Sequence, residues 1–176
     1  MTHTSQSEDD LELQKYKELF DLSKEVFSEE LERSSRIDAK ASQYLAILTF
    51  LLSVFALFGR DILDTALPPD DFLEWFLVVG SGVVIAIILL SWLFIFSALD
   101  KKEIRKIPIA TEFFRTNKLV DVYYTMSRSI QENLIVNRKN TNRRLNNLTF
   151  GYKLIGAAMI LLFVLFIVFV THEWLK

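Results

Sequence analysis

The sequence predicts an all-α membrane protein: three transmembrane helices, long cytoplasmic helical extensions of the first and third, N-terminus inside and C-terminus outside. Three observations predict it. Apolar residues make up 51% of the 176-residue chain and gather into three uncharged runs: 18 residues at 41–58, 25 at 75–99 and 18 at 154–171. About 20 apolar residues in a helix cross a hydrocarbon core of roughly 30 Å. Basic residues collect on one side of those runs, and neither Pro nor Gly interrupts the stretches that lead into the first and third.

The opening residues 1–8, MTHTSQSE, predict a disordered tail. Residues 9–40 predict an amphipathic acidic helix: Leu11, Leu13, Tyr16, Leu19, Phe20, Leu22, Val26, Phe27, Leu31 and Ile37 recur at helical spacing with acids between them. Ser7 with Asp10, or Asp9 itself, is a capping pattern for its start. The first 40 residues hold 11 acids and no long apolar run, so no cleavable signal peptide is expected and the first span, 41–58, stays as an anchor. An external loop follows at 59–71, then a second span at 72–99.

Residues 100–148 form a basic segment. Pro108 predicts a turn, and ATEFF (110–114) a short helix. From Asn117 a stripe of Leu119, Val122, Met126, Ile130, Leu134, Thr141, Leu145 and Leu148 predicts a helix running into the third span, 149–171, before an external tail at 172–176.

Charge sets the expected orientation. Residues 59–71 carry one Arg and four Asp, whereas 100–148 carry eleven Lys or Arg against five acids. Short loops rich in Lys and Arg remain cytoplasmic, which places 100–148 inside. Trp75 and Trp174 then lie at the outer interface, Tyr44 and Tyr152 at the inner one. Residues 1–40 have six basic and eleven acidic side chains and 100–148 have the opposite balance, so the two cytoplasmic segments are expected to pack on each other, within a chain or between chains.

The run 137–147, NRKNTNRRLNN, holds five Asn and four basic residues. Asn133, Asn137, Asn140, Arg144 and Asn147 share one helical face. Three readings stay open for it. It is a solvated face under lipid headgroups, or an Asn row fixing helix register or oligomer state, or a site where Asn137, Arg138, Lys139, Asn140, Arg143 and Arg144 hold an anion such as a nucleotide. A basic cluster beside a membrane also attracts anionic lipid. Gly82 and Ala86, four apart, form a small-xxx-small face for helix association.

Catalysis finds little support. His3 and His172 have no suitable carboxylate cluster, and Glu173 beside His172 reads as a surface pair. Phosphate loops, nucleophile elbows and nucleic-acid-binding motifs are missing, and zero cysteines exclude disulfides and thiolate metal sites. No enzyme activity, cofactor, metal or specific DNA or RNA partner is expected. The three uncharged runs also lack the ionisable groups of transporters and proton relays, and the sequon NLT at 147–149 is discounted because it falls on the cytoplasmic side.

At 36–55, RIDAKASQYLAILTFLLSVF, the chain resembles small bacterial antiphage membrane effectors. The nearest are the transmembrane effectors of Pycsar systems, with SLATT-type effectors second; Asp38, Lys40 and Ala41 match the opening of their first span. Residues 119–155 are similar in style to the helix leading into their last span. The resemblance implies an oligomeric inner-membrane protein that rearranges on a cyclic nucleotide signal and impairs membrane integrity. The competing expectation is a non-enzymatic scaffold that docks a cytoplasmic protein on its acidic N-terminal helix.

Overall fold

The computed structural model describes residues 3–69, 71–99 and 115–175. Three long helices organise them: α1 (His3–Ala66), α2 (Phe72–Leu99) and α3 (Leu119–Leu175). By length and composition all three are able to cross a membrane, and no strand occurs among the described residues. At 64 and 57 residues, α1 and α3 far exceed one crossing, as expected for spans with helical extensions.

Two boundaries differ from expectation. α1 begins at His3, ahead of the Ser7–Asp10 capping pattern, and so takes in most of the stretch for which composition predicts disorder. It also runs on to Ala66, through eight residues expected to lie in the external loop. Gly59, Arg60 and Asp61 look loop-like, but a lone Gly costs a helix only about 1 kcal/mol, whereas Pro removes the N–H and clashes with the preceding turn. The first Pro is Pro68, and the helix stops just before it. The Pro108 turn and the short helix at 110–114 lie outside the described residues.

The chain divides into two compact units, one made of Met1–Arg36 with Lys101–Asn142, the other of Ile37–Asp100 with Arg143–Lys176. In the second unit, segments of all three helices pack around a core of Ile37, Ala41, Leu48, Leu77, Val84, Ile95, Leu148, Ile155 and Leu165. Buried positions on α2 fall at 77, 81, 84, 88, 91, 95 and 98, alternating steps of four and three. That 3.5-residue repeat keeps one seam facing its neighbours, as in a coiled coil. The opposite faces expose Phe50, Leu57, Leu93, Ile160 and Phe163, the pattern of helices whose outer surface meets lipid.

Within this unit α1 and α3 run parallel. Tyr44 stacks on Tyr152 and Phe58 meets Phe166 edge-on, each pair 108 positions apart. α2 runs antiparallel to α3: Ser91 donates to the Gly151 carbonyl at 2.8 Å, while Gly80 lies under Leu165. A Cβ on Gly151 would sit 2.6 Å from Ile95 Cγ1, so glycine is what lets these helices close.

In the first unit, Tyr16 packs edge-on against Tyr124 and Phe20 against Tyr123. The seam here is of a different kind. Among the described residues its buried side chains are Ser23, Glu30, Ser34, Ser127, Asn137 and Thr141, with only Val122, Ile130 and Leu134 apolar. Polar layers contribute specificity of register more than stability.

Candidate functional site

The described residues bring polar and charged groups together at three places. The first is a clasp in the second unit. α2 ends at Leu99, and its last carbonyls have no partner within the helix. Arg144 of α3 donates from Nε to the Ala98 carbonyl at 2.7 Å, and its terminal nitrogen pairs with Asp38 of α1. A cation at a helix C-terminus also meets the negative end of the helix dipole. One guanidinium thus ties three helices, with its side chain 12% exposed and that of Asp38 26%. Three residues on, Asn147 donates to Ser97 Oγ at 3.1 Å, adding a second link between α3 and α2.

The second place is the other end of the same unit. Glu74 and His172 are both buried and approach to 3.6 Å. Glu74 Oε2 also accepts from the Asp71 backbone N–H at 3.4 Å, and Trp75 N–H bonds to the Asp71 carbonyl at 3.1 Å. The Glu74 carboxylate thus supplies one half of the capping box that opens many helices. The expected surface pair of His172 with Glu173 is therefore replaced: His172 turns inward to Glu74, and Glu173 stays exposed. The spacing Asp71-x-x-Glu74 immediately ahead of an apolar run was the legible signal.

The third lies in the first unit. Buried Glu30 has Arg33 at 3.8 Å and Arg138 at 3.9 Å, and Arg33 donates to Asn142 Oδ1 at 2.9 Å. Glu30 Oε1 and Asn137 Nδ2 are buried with no hydrogen-bond partner among the described residues. Each such atom costs about 1–3 kcal/mol. Replacing both residues by Leu is accordingly expected to stabilise the first unit by roughly 1–3 kcal/mol. Slower amide hydrogen exchange over residues 119–142 in the double variant is the measurement; faster exchange would show that the polar layer holds the seam together.

The anticipated anion-binding residues do not converge. Arg144 is engaged in the clasp, Arg138 lies against Glu30 and Asn137 is buried, while Asn140 is half-buried. Only Lys139 and Arg143 of that group are exposed cations without an ion pair among the described residues. Asn133 is half-buried and Asn147 bonds to Ser97, so the Asn row lies against neighbouring helices rather than forming a fully solvated face. Of the residues carrying the family resemblance, Asp38 is in the clasp, Ala41 is in the core and Lys40 points to the exterior. Gly82 and Ala86 are exposed, with nothing within 4 Å of a Cβ on Gly82; the close approach inside the chain is made by Gly80 and Gly151 instead.

Nothing else in the described residues suggests a reaction centre. No group of three His, Asp or Glu residues is placed to hold a metal. A cleft of about 380 Å³ between α1 and α3 is walled by Leu51, Phe55, Phe58, Met159, Phe163 and Phe166 and offers no polar group to orient a substrate. No family model, curated protein or solved structure matches this chain. The clasp is thus read from its own chemistry: a charge-based tie between three helices that are each apolar enough to cross a membrane.

Proposed function

We propose that this chain is an inner-membrane effector of bacterial antiphage defence. In this reading it is a non-enzymatic homo-oligomer with a cytoplasmic N-terminus, and its spans rearrange to impair membrane integrity when the cytoplasmic helices receive a signal. A cyclic nucleotide is the expected signal, from the resemblance at 36–55. The orientation follows from the basic balance of 100–148.

The observation that carries the reading is the Asp38–Arg144–Ala98 clasp. Asp38 comes from the segment that carries the resemblance and Arg144 from the basic run, and both lie on helices that continue without a break from one unit into the other. A helix is stiff, so a twist or shift imposed on its polar half is passed to its apolar half. The seam of the polar half buries few apolar side chains among the described residues, Val122, Ile130 and Leu134, which makes it the easier half to rearrange.

Dye leakage from liposomes holding the purified chain tests this. Leakage is expected with one of a panel of cyclic nucleotides, and Arg144→Gln should shift the nucleotide concentration needed. Silence with every nucleotide, from protein shown to be inserted, removes the effector reading.

A second reading has one observation in its favour. Glu18, Asp21, Glu25, Glu29 and Glu32 of α1 are all exposed at steps of three and four, with Leu22 beside them, as on a helix face that docks a basic partner protein. Deleting residues 1–30 separates the two: a scaffold loses its partner, whereas an effector becomes inert or constitutively leaky.

A further inference from the structure

We infer that the outer face of α3 at the start of its apolar stretch binds an anionic phospholipid, with Lys153 on the phosphate, Arg143 adding positive charge further out in the headgroup layer, and an acyl chain lying along the residues that follow. The inference rests on the membrane reading of the apolar helices and not on the effector assignment.

The face is set by spacing. Arg143, Asn146, Phe150 and Lys153 follow one another at steps of three, four and three, and all four are exposed. The same steps continue through Ala157, Ile160 and Val164, also exposed. Side chains at these steps line one side of a helix, and the buried positions 148, 151, 155 and 158 occupy the other. One surface therefore begins with a cation, passes an aromatic ring and a second cation, and continues as hydrocarbon. That is the order of groups along a phospholipid, from headgroup to tail.

Charge selects the headgroup. Asp38 is the only acid in residues 37–58, and residues 143–171 contain none. Arg144 neutralises Asp38 in the clasp. Arg143 and Lys153 have no ion pair among the described residues, so this end of the unit keeps an excess of positive charge at the level where apolar helix begins. A lysine inside an apolar run extends its stem along the helix and delivers its ammonium to the headgroup layer. Side chains on a helix lean toward its N-terminus, which here is the direction of Arg143. The stacked Tyr44–Tyr152 pair lies in the same stretch, and Tyr152 is itself exposed, as in the aromatic belts found at headgroup depth.

The placement also argues against a compact soluble anion at this face. Arg143 and Lys153 are ten residues apart, roughly 15 Å along the helix, with Phe150 between them. A free phosphate or nucleotide would need donors converging on one point, and it would gain nothing from Ile160 and Val164. A lipid uses both ends of the surface.

The test is native mass spectrometry of the full chain released from micelles doped with equal amounts of phosphatidylglycerol and phosphatidylcholine. Each basic residue near an anionic headgroup is expected to favour it by about fivefold, so phosphatidylglycerol adducts should dominate. In the double variant Arg143→Gln, Lys153→Gln the preference should fall to near parity, whereas Lys15→Gln, an exposed lysine of the first unit, should leave it unchanged. Retention of the full preference by the double variant overturns the inference. So does equal retention of the two lipids by the unaltered chain, and so does displacement of bound phosphatidylglycerol by millimolar inorganic phosphate. Leakage plays no part in this readout, so a failure here and a failure of the effector reading are told apart.

Discussion

Arg144→Ala should destabilise the three-helix unit by about 2–4 kcal/mol, the range for removing one partner from a largely buried pair, discounted for partial exposure. Two groups are abandoned at once. Asp38 loses its guanidinium, and the Ala98 carbonyl, at the end of α2 where no helical N–H follows to bond it, loses its donor. Thermal unfolding in detergent reads the loss, and a double-mutant cycle with Asp38→Asn apportions it. If the clasp acts as a unit, the double variant loses clearly less than the sum of the single changes. Strict additivity would mean that the two side chains are neighbours without being partners. Arg144→Lys should recover only part of the stability, because a single ammonium does not reproduce the fork that serves a carboxylate and a carbonyl together.

Gly151→Val should cost a similar amount, about 2–4 kcal/mol. The new Cβ would sit 2.6 Å from Ile95 Cγ1 and 3.3 Å from its Cδ1, and Ile95 is fully buried, with no open space to swing into. Spreading α2 from α3 would also break the Ser91 bond to the Gly151 carbonyl and leave a buried hydroxyl unpaired. Gly82→Val is the matched control. Nothing lies within 4 Å of its Cβ, so the folded chain should tolerate it within about 0.5 kcal/mol. Equal losses from the two valines would mean that Gly82 is covered by another chain, a result that analytical ultracentrifugation would then have to match.

These two experiments mark where sequence reasoning carried and where it stopped. Three uncharged runs of near-membrane length leave little choice of fold class, because apolar surface of that extent has nowhere else to go. The path of each helix was also legible up to its first breaker, apart from the stretch 59–66. There local polarity suggested a loop, although the chain contains no residue that stops a helix before Pro68. Partnership was much less legible. Asp38 and Arg144 are 106 positions apart, and nothing in their neighbourhoods says that the parallel register of α1 and α3 will bring them together. Gly80 and Gly82 are separated by about 200° around a helix, so choosing the one that faces inward requires the phase of the whole buried repeat 77, 81, 84, 88. The Asn and Arg run misled for a related reason. Its composition allowed an anion-binding face among other readings, but neighbours on the other helices claimed its members one at a time: Glu30 took Arg138, Asp38 took Arg144 and Ser97 took Asn147.

The connections between the helices differ greatly in length, and this has a mechanical consequence. Five residues, 67–71, two of them proline, join α1 to α2, whereas nineteen, 100–118, separate α2 from α3. At about 3.3–3.6 Å per extended residue, the first connection holds the ends of α1 and α2 within roughly 20 Å under any load. α1 and α2 therefore move as one hairpin: a pull on either is handed to the other through five residues, with no slack for the two to part.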